Sequence, residues 1–424
     1  MKTHHQVLII GGGTAGIMTA AFMKRKSPAT DIAIMEPSVN HYYQAAWTLV
    51  GAGTFNYDDT RRDEKDLIPQ GVDWIKEFAE EVKPEENMVI SRTGTKYTYD
   101  YLVVCPGLVM DMDAIPGMKE ALQTNAACSN YTDPKHTWEV INKFKGGTAI
   151  FTQPSTPIKC GGAPQKIMYL AEEAFVKSGV RGKTKVVYAT PGSVIFGVKD
   201  FADTLNKVLD RKKIMTRFFY NPVKIDPKEQ IAWFKYMKPD ADPSLLPLDA
   251  TMGERVSDEK LIGIKYDLLH LAPPQKAPDF IRNSVLAHQD GPSKGWMNVD
   301  IHTLQHKVYG NIFGLGDVAA LPTAKTGAAV RKQAPVVVEN ILSLMKHGGE
   351  LPRKYSGYSS CPLVTGYGKM VLAEFKYDNV RDSDPLLSKI WDTSKEQYSM
   401  WILKKYGLPF LYWNKMMKGK MMDD

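Results

Sequence analysis

Val7-Leu8-Ile9-Ile10-Gly11-Gly12-Gly13-Thr14-Ala15-Gly16 is a short apolar run that breaks into a glycine turn. A helix of small residues is predicted over 17–26, and a second strand, Asp31-Ile32-Ala33-Ile34-Met35, ends on Glu36. A strand, a G-x-G-x-x-G turn, a helix and an acidic residue closing the next strand form the opening of a dinucleotide-binding βαβ unit. Gly11 permits the tight turn, Gly13 lets backbone approach a pyrophosphate, and Gly16 allows close helix–strand packing. Glu36 can accept hydrogen bonds from an adenosine ribose, and the helix N-terminus favours the phosphate charge.

This turn alone does not separate FAD from NAD. Two later stretches do. Tyr101-Leu102-Val103-Val104-Cys105-Pro106-Gly107 resembles the strand and small-residue turn of two-dinucleotide-domain flavoproteins, and Gly314-Leu315-Gly316-Asp317 resembles their second FAD fingerprint. The helix predicted over 327–346, entered through Lys325-Thr326, would aim its N-terminal dipole at the flavin. FAD is the expected cofactor, held by Gly11, Gly13, Gly16, Glu36, Gln44, Val82, Gly107, Gly316, Asp317, Lys325 and Thr326.

A second α/β unit begins near Gly146, with strands at 148–151 and 185–188, a helix over about 165–176, and a β-meander with loops over 219–272. It lacks a glycine fingerprint. In that place stands Pro154-Ser155-Thr156-Pro157-Ile158-Lys159-Cys160-Gly161-Gly162-Ala163-Pro164, where proline removes donors that a pyrophosphate needs. Electrons are therefore not expected from a nicotinamide. Cys160 instead precedes a helix N-terminus, with Lys159 and Lys166 near, and both features favour thiolate. Cys361 lies in Ser359-Ser360-Cys361-Pro362-Leu363. The bland alternative for both is a buried free thiol.

Composition sets the outer bounds. The chain has 424 residues, a net charge of +7, 43% hydrophobic and 24% charged residues, and four cysteines. Those proportions exclude a disordered or fibrous chain and a disulfide scaffold. No apolar stretch is long enough for a transmembrane helix, and the run at Val7 breaks too early for a signal peptide. Histidines show no metal-binding spacing and no C-x-x-C exists, so no metal site is expected. The basic excess is compatible with several anionic partners; no nucleic-acid partner is expected. Residues 391–422 interleave Trp391, Tyr398, Trp401, Tyr406, Phe410, Tyr412, Trp413 and methionines with Lys395, Lys404, Lys405, Lys415, Lys418 and Lys420. This mixture predicts an amphipathic segment lying in the bilayer interface, with a core-packing helix pair as the alternative.

Cys160-Gly161-Gly162-Ala163-Pro164-Gln165-Lys166 and Ser360-Cys361-Pro362-Leu363-Val364-Thr365-Gly366-Tyr367 resemble the two redox-cysteine loops of sulfide:quinone oxidoreductases, in the subgroup that includes the mitochondrial enzyme. His41-Tyr42-Tyr43-Gln44-Ala45-Ala46-Trp47, Leu304-Gln305-His306 and Leu411-Tyr412-Trp413-Asn414 match as well, so the resemblance spans nearly the whole chain. Cys105-Pro106 is its unusual point. The resemblance implies FAD, monotopic attachment to a respiratory membrane (bacterial cell membrane or mitochondrial inner membrane), hydrogen sulfide as donor, and ubiquinone or menaquinone as acceptor. It implies that Cys160 and Cys361 are bridged when oxidised, that Cys361 keeps the sulfane sulfur as a persulfide, and that Cys160 faces the flavin. Sulfite, glutathione or another thiol would take the sulfane sulfur. Lys166 would supply positive potential; its alternative is a solvated helix lysine. Phe410 and Tyr412 are expected at the quinone.

The predicted architecture is a tandem Rossmann-like α/β fold with a C-terminal amphipathic membrane-attachment region. Residues 1–145 and 297–350 form the FAD domain, 146–296 a second Rossmann-like domain, and 351–424 the C-terminal region. A homo-oligomer is allowed. Cys105 is expected to pack beside the flavin and Cys128 to be a bystander. Glu120 is a weak acid–base candidate. The competing functions are a flavin NADH:quinone oxidoreductase, the flavoprotein subunit of a cytochrome-linked sulfide dehydrogenase, and a non-enzymatic binding module.

Overall fold

Strand His4–Ile10 is central because Val7 to Ile10 are buried on both faces, as a continuous apolar run in a parallel sheet should be. It lies between Ile32–Met35 and Lys96–Val104, parallel to both. Val72–Ile75 extends the parallel set beyond Ile32–Met35. Met88–Ser91 and Ala79–Lys83 continue antiparallel from the first half of Lys96–Val104, while Ile312–Gly314 pairs with its second half. Residues far apart in sequence thus complete one seven-stranded sheet. Helix Thr14–Lys26 has a buried run from Ala15 to Met23, because helix Gly327–His347 covers it from outside the sheet.

This computed structural model describes residues 2–420. Met1 and the last four residues of the expected C-terminal segment lie outside the described residues.

The second sheet is wholly parallel, in the order Ala127–Cys128, Leu268–His270, Gly147–Thr152, Thr184–Thr190, Met215–Phe218. Helices Pro134–Lys143, Ala163–Lys177 and Lys199–Lys212 accompany it. A four-stranded antiparallel sheet, Tyr220–Asp226, Ile231–Tyr236, Ile262–Lys265 and Arg255–Val256, fills the region expected as a meander. Two boundaries differ from the sequence expectation. Ala127–Cys128, placed by sequence in the first unit, pairs with Leu268–His270 of the second sheet. Conversely, Ala277, Ile281, Leu286 and Trp296 pack in the first unit's core with Leu8 and Ile10. Both exchanges are long-range pairings, which local pattern does not encode. Val109–Met110 and Gln275–Lys276 pair antiparallel where the chain passes between the units.

Ser359–Gly366, Lys369–Lys376 and Val380–Arg381 form a three-stranded antiparallel sheet against helix Ala163–Lys177. After helix Pro385–Ile390, Tyr398–Ile402 runs through a π-helical turn, Leu403–Gly407, into Leu408–Asn414. Among the described residues no helix is long and apolar enough to cross a membrane.

Candidate functional site

At the glycine turn, Gly11 has φ +105°, and a Cβ there would meet the Cys105 carbonyl oxygen at 2.4 Å. Gly16 is tighter: its Cβ would fall 1.8 Å from the Gly11 carbonyl oxygen. Gly13 differs from both. Nothing lies within 4 Å of its Cβ position, so its face is open to a ligand. The Gly12 N–H donates to Glu36 Oε2 at 2.8 Å and the Ser38 N–H to Glu36 Oε1 at 2.7 Å, fixing the carboxylate beside the turn. Gly107 and Gly316 take φ +75° and +73°, a left-handed conformation suited to glycine. The Gly316 N–H donates to Gln333 Oε1 at 2.9 Å. Thr326 caps helix Gly327–His347, its hydroxyl accepting from the Ala329 N–H at 3.1 Å. Lys325 Nζ donates to the carbonyls of Asp317 at 2.7 Å and Ala319 at 2.9 Å, and lies 4.1 Å over the Trp296 ring. Burial lowers Lys325 to about 8, with Asp317 opposing. Val82 is placed differently from the other expected cofactor residues: its side chain is buried in the first-sheet core.

Cys160 sits in the loop before helix Ala163–Lys177 with φ +50°, a left-handed conformation rare for non-glycine residues and found at functional sites. Three contacts hold it. Its N–H donates to the Lys325 carbonyl at 2.8 Å, and its carbonyl accepts from the Ala163 N–H at 2.7 Å and Tyr131 Oη at 3.3 Å. The loop is thereby stitched to the entry of helix Gly327–His347. Lys159 also donates to Gln44 Oε1. Lys166 follows on the first turn of its helix, buried, with Nζ 2.9 Å from Cys160 Sγ; it is not a solvated helix lysine. Cys361 arrives from strand Ser359–Gly366 and is buried. The absence of a side chain at Gly162 admits it: a Cβ there would stand 3.3 Å from Cys361 Sγ and 2.5 Å from Leu363 Cδ2.

All four cysteines are free thiols. The hydrogen bond from Cys361, with the Lys166 and Lys404 ammoniums, holds the Cys160 thiol well below its ordinary range against burial. The Cys361 thiol is pushed well above by that same hydrogen bond and by burial. Burial works against the Lys166 ammonium, yet the two sulfurs beside it raise its pKa. The surroundings thus favour negative charge on Cys160 over Cys361.

Lys404 is a site residue that composition hides: it counts among the interfacial lysines in sequence, yet it is buried and donates to the Ala45 carbonyl at 2.8 Å. Burial, then the Lys166 charge, lower it to about 7, while the sulfurs oppose. The aromatic tail divides in the same way. Trp401, Tyr412 and Met417 are buried, whereas Tyr398, Ile402, Tyr406 and Phe410 are exposed. These four recur every fourth residue, on one helical face. Lys404 lies two residues from both Ile402 and Tyr406, on the opposite side of the helical run from that stripe, a phase that could have found it. Phe410 and Tyr412, expected together, therefore point apart. Tyr412 instead packs on Tyr43, ring centroids 4.5 Å apart.

Cys105 is buried with its thiol toward the Gly11 carbonyl at 3.7 Å. Cys128 is buried in the second unit's core, which pushes its thiol up to about 12. Glu120 is exposed. The one group of three metal-ligating side chains among the described residues, His5, Asp31 and Asp73, lies at the opposite end of the first sheet's strands from the glycine turn, and Lys2 occupies its Asp31 at 2.6 Å.

Residues 5–142 match the family model for pyridine nucleotide-disulphide oxidoreductases. The mitochondrial sulfide:quinone oxidoreductase of Mus musculus is 39% identical over 420 residues, covering 99% of this chain and 87% of that protein. The Dictyostelium discoideum protein of the same name is 40% identical over 427 residues, with the same coverage. Among solved structures, the sulfide:quinone oxidoreductase of Aquifex aeolicus superposes with a TM-score of 0.76 at 18% identity, over 99% of this chain and 92% of that one.

Proposed function

The chain belongs to the sulfide:quinone oxidoreductase family, and from that premise we propose that Cys160 and Cys361 are the redox pair through which it oxidises sulfide. The observation that carries this reading is the buried Lys166 ammonium 2.9 Å from Cys160 Sγ, with Cys361 in hydrogen-bonding reach of the same sulfur.

When the pair is bridged, hydrosulfide attacks the Cys361 sulfur. An S–S bond forms there as persulfide, and the Cys160–Cys361 bond breaks with its electron pair leaving on Cys160. The leaving thiol of lower pKa departs faster, and the Lys166 ammonium 2.9 Å from Cys160 Sγ supports that role for Cys160. Lys166 stabilises the thiolate by charge, and Lys404 adds to the field while it is protonated. The sulfane sulfur then passes from Cys361 to a nucleophile such as sulfite, glutathione or another thiol.

The cofactor of this family is a flavin, and FAD is the form that the glycine turn fits: the open face at Gly13 admits a pyrophosphate, and Glu36 is fixed beside it for a ribose. Bound there, FAD supplies two-electron transfer between the cysteine pair and quinone. Gly107, Gly316, Asp317, Lys325 and Thr326 would hold its ring end and Gln44 would line it; Val82 would contribute packing behind the nucleotide.

The stripe Tyr398, Ile402, Tyr406 and Phe410, with exposed Leu386 and Ile390 nearby in the chain, supports monotopic attachment to a respiratory membrane, from which ubiquinone or menaquinone would enter along the C-terminal helices toward Tyr412. Phe410 would belong to the lipid side of that path.

Anaerobic stopped-flow tests the reading. Sulfide should bleach the flavin of the wild-type protein, and a soluble quinone should restore it. Cys160→Ser and Cys361→Ser should each keep flavin but lose bleaching. Sulfide-dependent quinone reduction surviving in both variants would remove the cysteine mechanism.

A further inference from the structure

The strand that carries Cys361 is gripped at its far end by two carboxylates that take no part in the sulfide chemistry above. Strand Ser359–Gly366 lies along helix Ala163–Lys177. Lys166 and Glu173 are seven residues apart on that helix, about two turns, so one helical face meets the strand at both places. Lys166 stands at the sulfurs. Glu173 stands where the strand turns: its Oε2 accepts from the Tyr367 N–H at 2.5 Å, and a Cβ on Gly366 would fall 2.0 Å from its Oε1. That second oxygen accepts from Lys212 Nζ at 2.9 Å. Lys212 is buried and also donates to Glu172 at 2.7 Å, which accepts in turn from Arg181 at 3.0 Å.

Glu396 holds the same turn from the C-terminal segment. Its Oε1 accepts from Thr365 Oγ1 at 2.5 Å, and Arg211 donates to its two oxygens at 2.6 and 2.8 Å. Thr365 is buried. Burial works against the Glu396 charge, yet Arg211 and Thr365 keep its carboxyl below the ordinary range. Arg211 and Lys212, adjacent at the end of helix Lys199–Lys212, thus each balance one carboxylate, and the two carboxylates hold Thr365 and Tyr367 on either side of Gly366.

We propose that Glu173, backed by Lys212, is a positioning residue that sets how readily Cys160 and Cys361 close into a disulfide. This rests on the redox-pair reading above and deepens it by naming what holds the second sulfur. Closing the pair forms one S–S bond and gives up two electrons and two protons. With glutathione disulfide as oxidant, its own S–S bond breaks and both electrons and both protons leave on two glutathione thiols. The equilibrium constant of that exchange is the effective concentration of one thiol at the other, which is high only where both are held in place. Cys160 is held by its N–H bond to the Lys325 carbonyl and by the start of its helix. Cys361 lies on the edge strand of a three-stranded sheet, so the grip at the turn limits how far that strand swings from helix Ala163–Lys177.

Two variants reach this contact from opposite sides. Both Glu173 oxygens accept from a donor, and an amide has one acceptor oxygen where a carboxylate has two. Glu173→Gln therefore leaves either the Tyr367 N–H or the Lys212 ammonium without its partner. Gly366→Ala pushes the turn off the carboxylate and changes no charge. The holoenzyme is equilibrated without oxygen in mixtures of glutathione and its disulfide, quenched with acid and alkylated, and mass spectrometry counts the Cys160–Cys361 disulfide. Each variant should lower the effective concentration about tenfold, about 30 mV for a two-electron couple, with flavin content unchanged. The double variant should lose little more than either single one, because one contact is broken twice. An unchanged value in either single variant, even with a lower Tm, would mark support of the fold alone and overturn the proposal, as would losses that multiply to about a hundredfold. If Glu173→Gln does not fold, Gly366→Ala decides by itself. A wild-type protein that forms no disulfide between Cys160 and Cys361 at any glutathione ratio would fell the redox-pair reading, and the proposal with it.

Discussion

Cys160 combines a left-handed backbone with a buried ammonium at 2.9 Å. Its neighbours favour its charge, and those of Cys361 disfavour it. The two thiols should therefore differ sharply toward an alkylating agent, since thiolate is the reacting species. At pH 7 iodoacetamide should modify Cys160 and spare Cys361. Lys166→Met removes a cation in contact with the sulfur, so the Cys160 pKa should rise and the pH midpoint of its alkylation should move up by about one unit, about 1.4 kcal/mol of lost charge stabilisation. Lys404→Met should act in the same sense but only below about pH 7, where that lysine carries its charge. Mass spectrometry of the modified peptides reads all three. Cysteine beside a helix start with a lysine one turn on was legible in sequence. That Lys166 is fully buried, and that a second lysine joins it from residue 404, was not, because burial depends on what packs over a helix.

The helical run from Tyr398 to Asn414 works at the scale of an element, and its two faces do different things. Tyr398, Ile402, Tyr406 and Phe410 look outward, while Trp401, Lys404 and Tyr412 look inward. Burying a large apolar side chain contributes about 1.5–3 kcal/mol. Tyr406→Glu with Phe410→Glu should therefore lower partition onto liposomes by more than about a hundredfold, with flavin content unchanged. Lys404→Met should leave liposome binding unaltered, because its ammonium faces the protein. Sedimentation with vesicles of mixed neutral and anionic lipid measures both. Binding that survives the double substitution would place the attachment surface elsewhere. The aromatic–lysine mixture revealed an amphipathic segment, but composition carries no phase. Only helical phase separates Phe410 from Tyr412.

Across the whole molecule, the site is assembled from pieces that no single unit contains. The glycine turn belongs to the first sheet, Cys160 and Lys166 to the second, Cys361 to the third, and Lys404 and Tyr412 to the C-terminal helices. A ligand seated at the first sheet should stabilise the assembly. FAD added to flavin-free protein at about a thousandfold excess over its Kd should contribute about 4 kcal/mol and raise the Tm. Gly13→Val, which closes the open face of the turn, should abolish that rise while leaving a folded protein by circular dichroism. A normal Tm increase in that variant would contradict the assignment of the turn to the cofactor.

The sequence by itself determined the βαβ opening and the second unit without a nucleotide fingerprint, because strand and turn signals are local and each is complete within a few residues. Tertiary structure alone decided that Ala127–Cys128 joins the second sheet, that Val82 turns into the core, that Lys404 is buried within electrostatic reach of the cysteine pair, and that Glu64, His41 and Tyr412 meet. Those outcomes depend on which distant segments exclude water from one another, and that exclusion exists only once the chain has closed around its core.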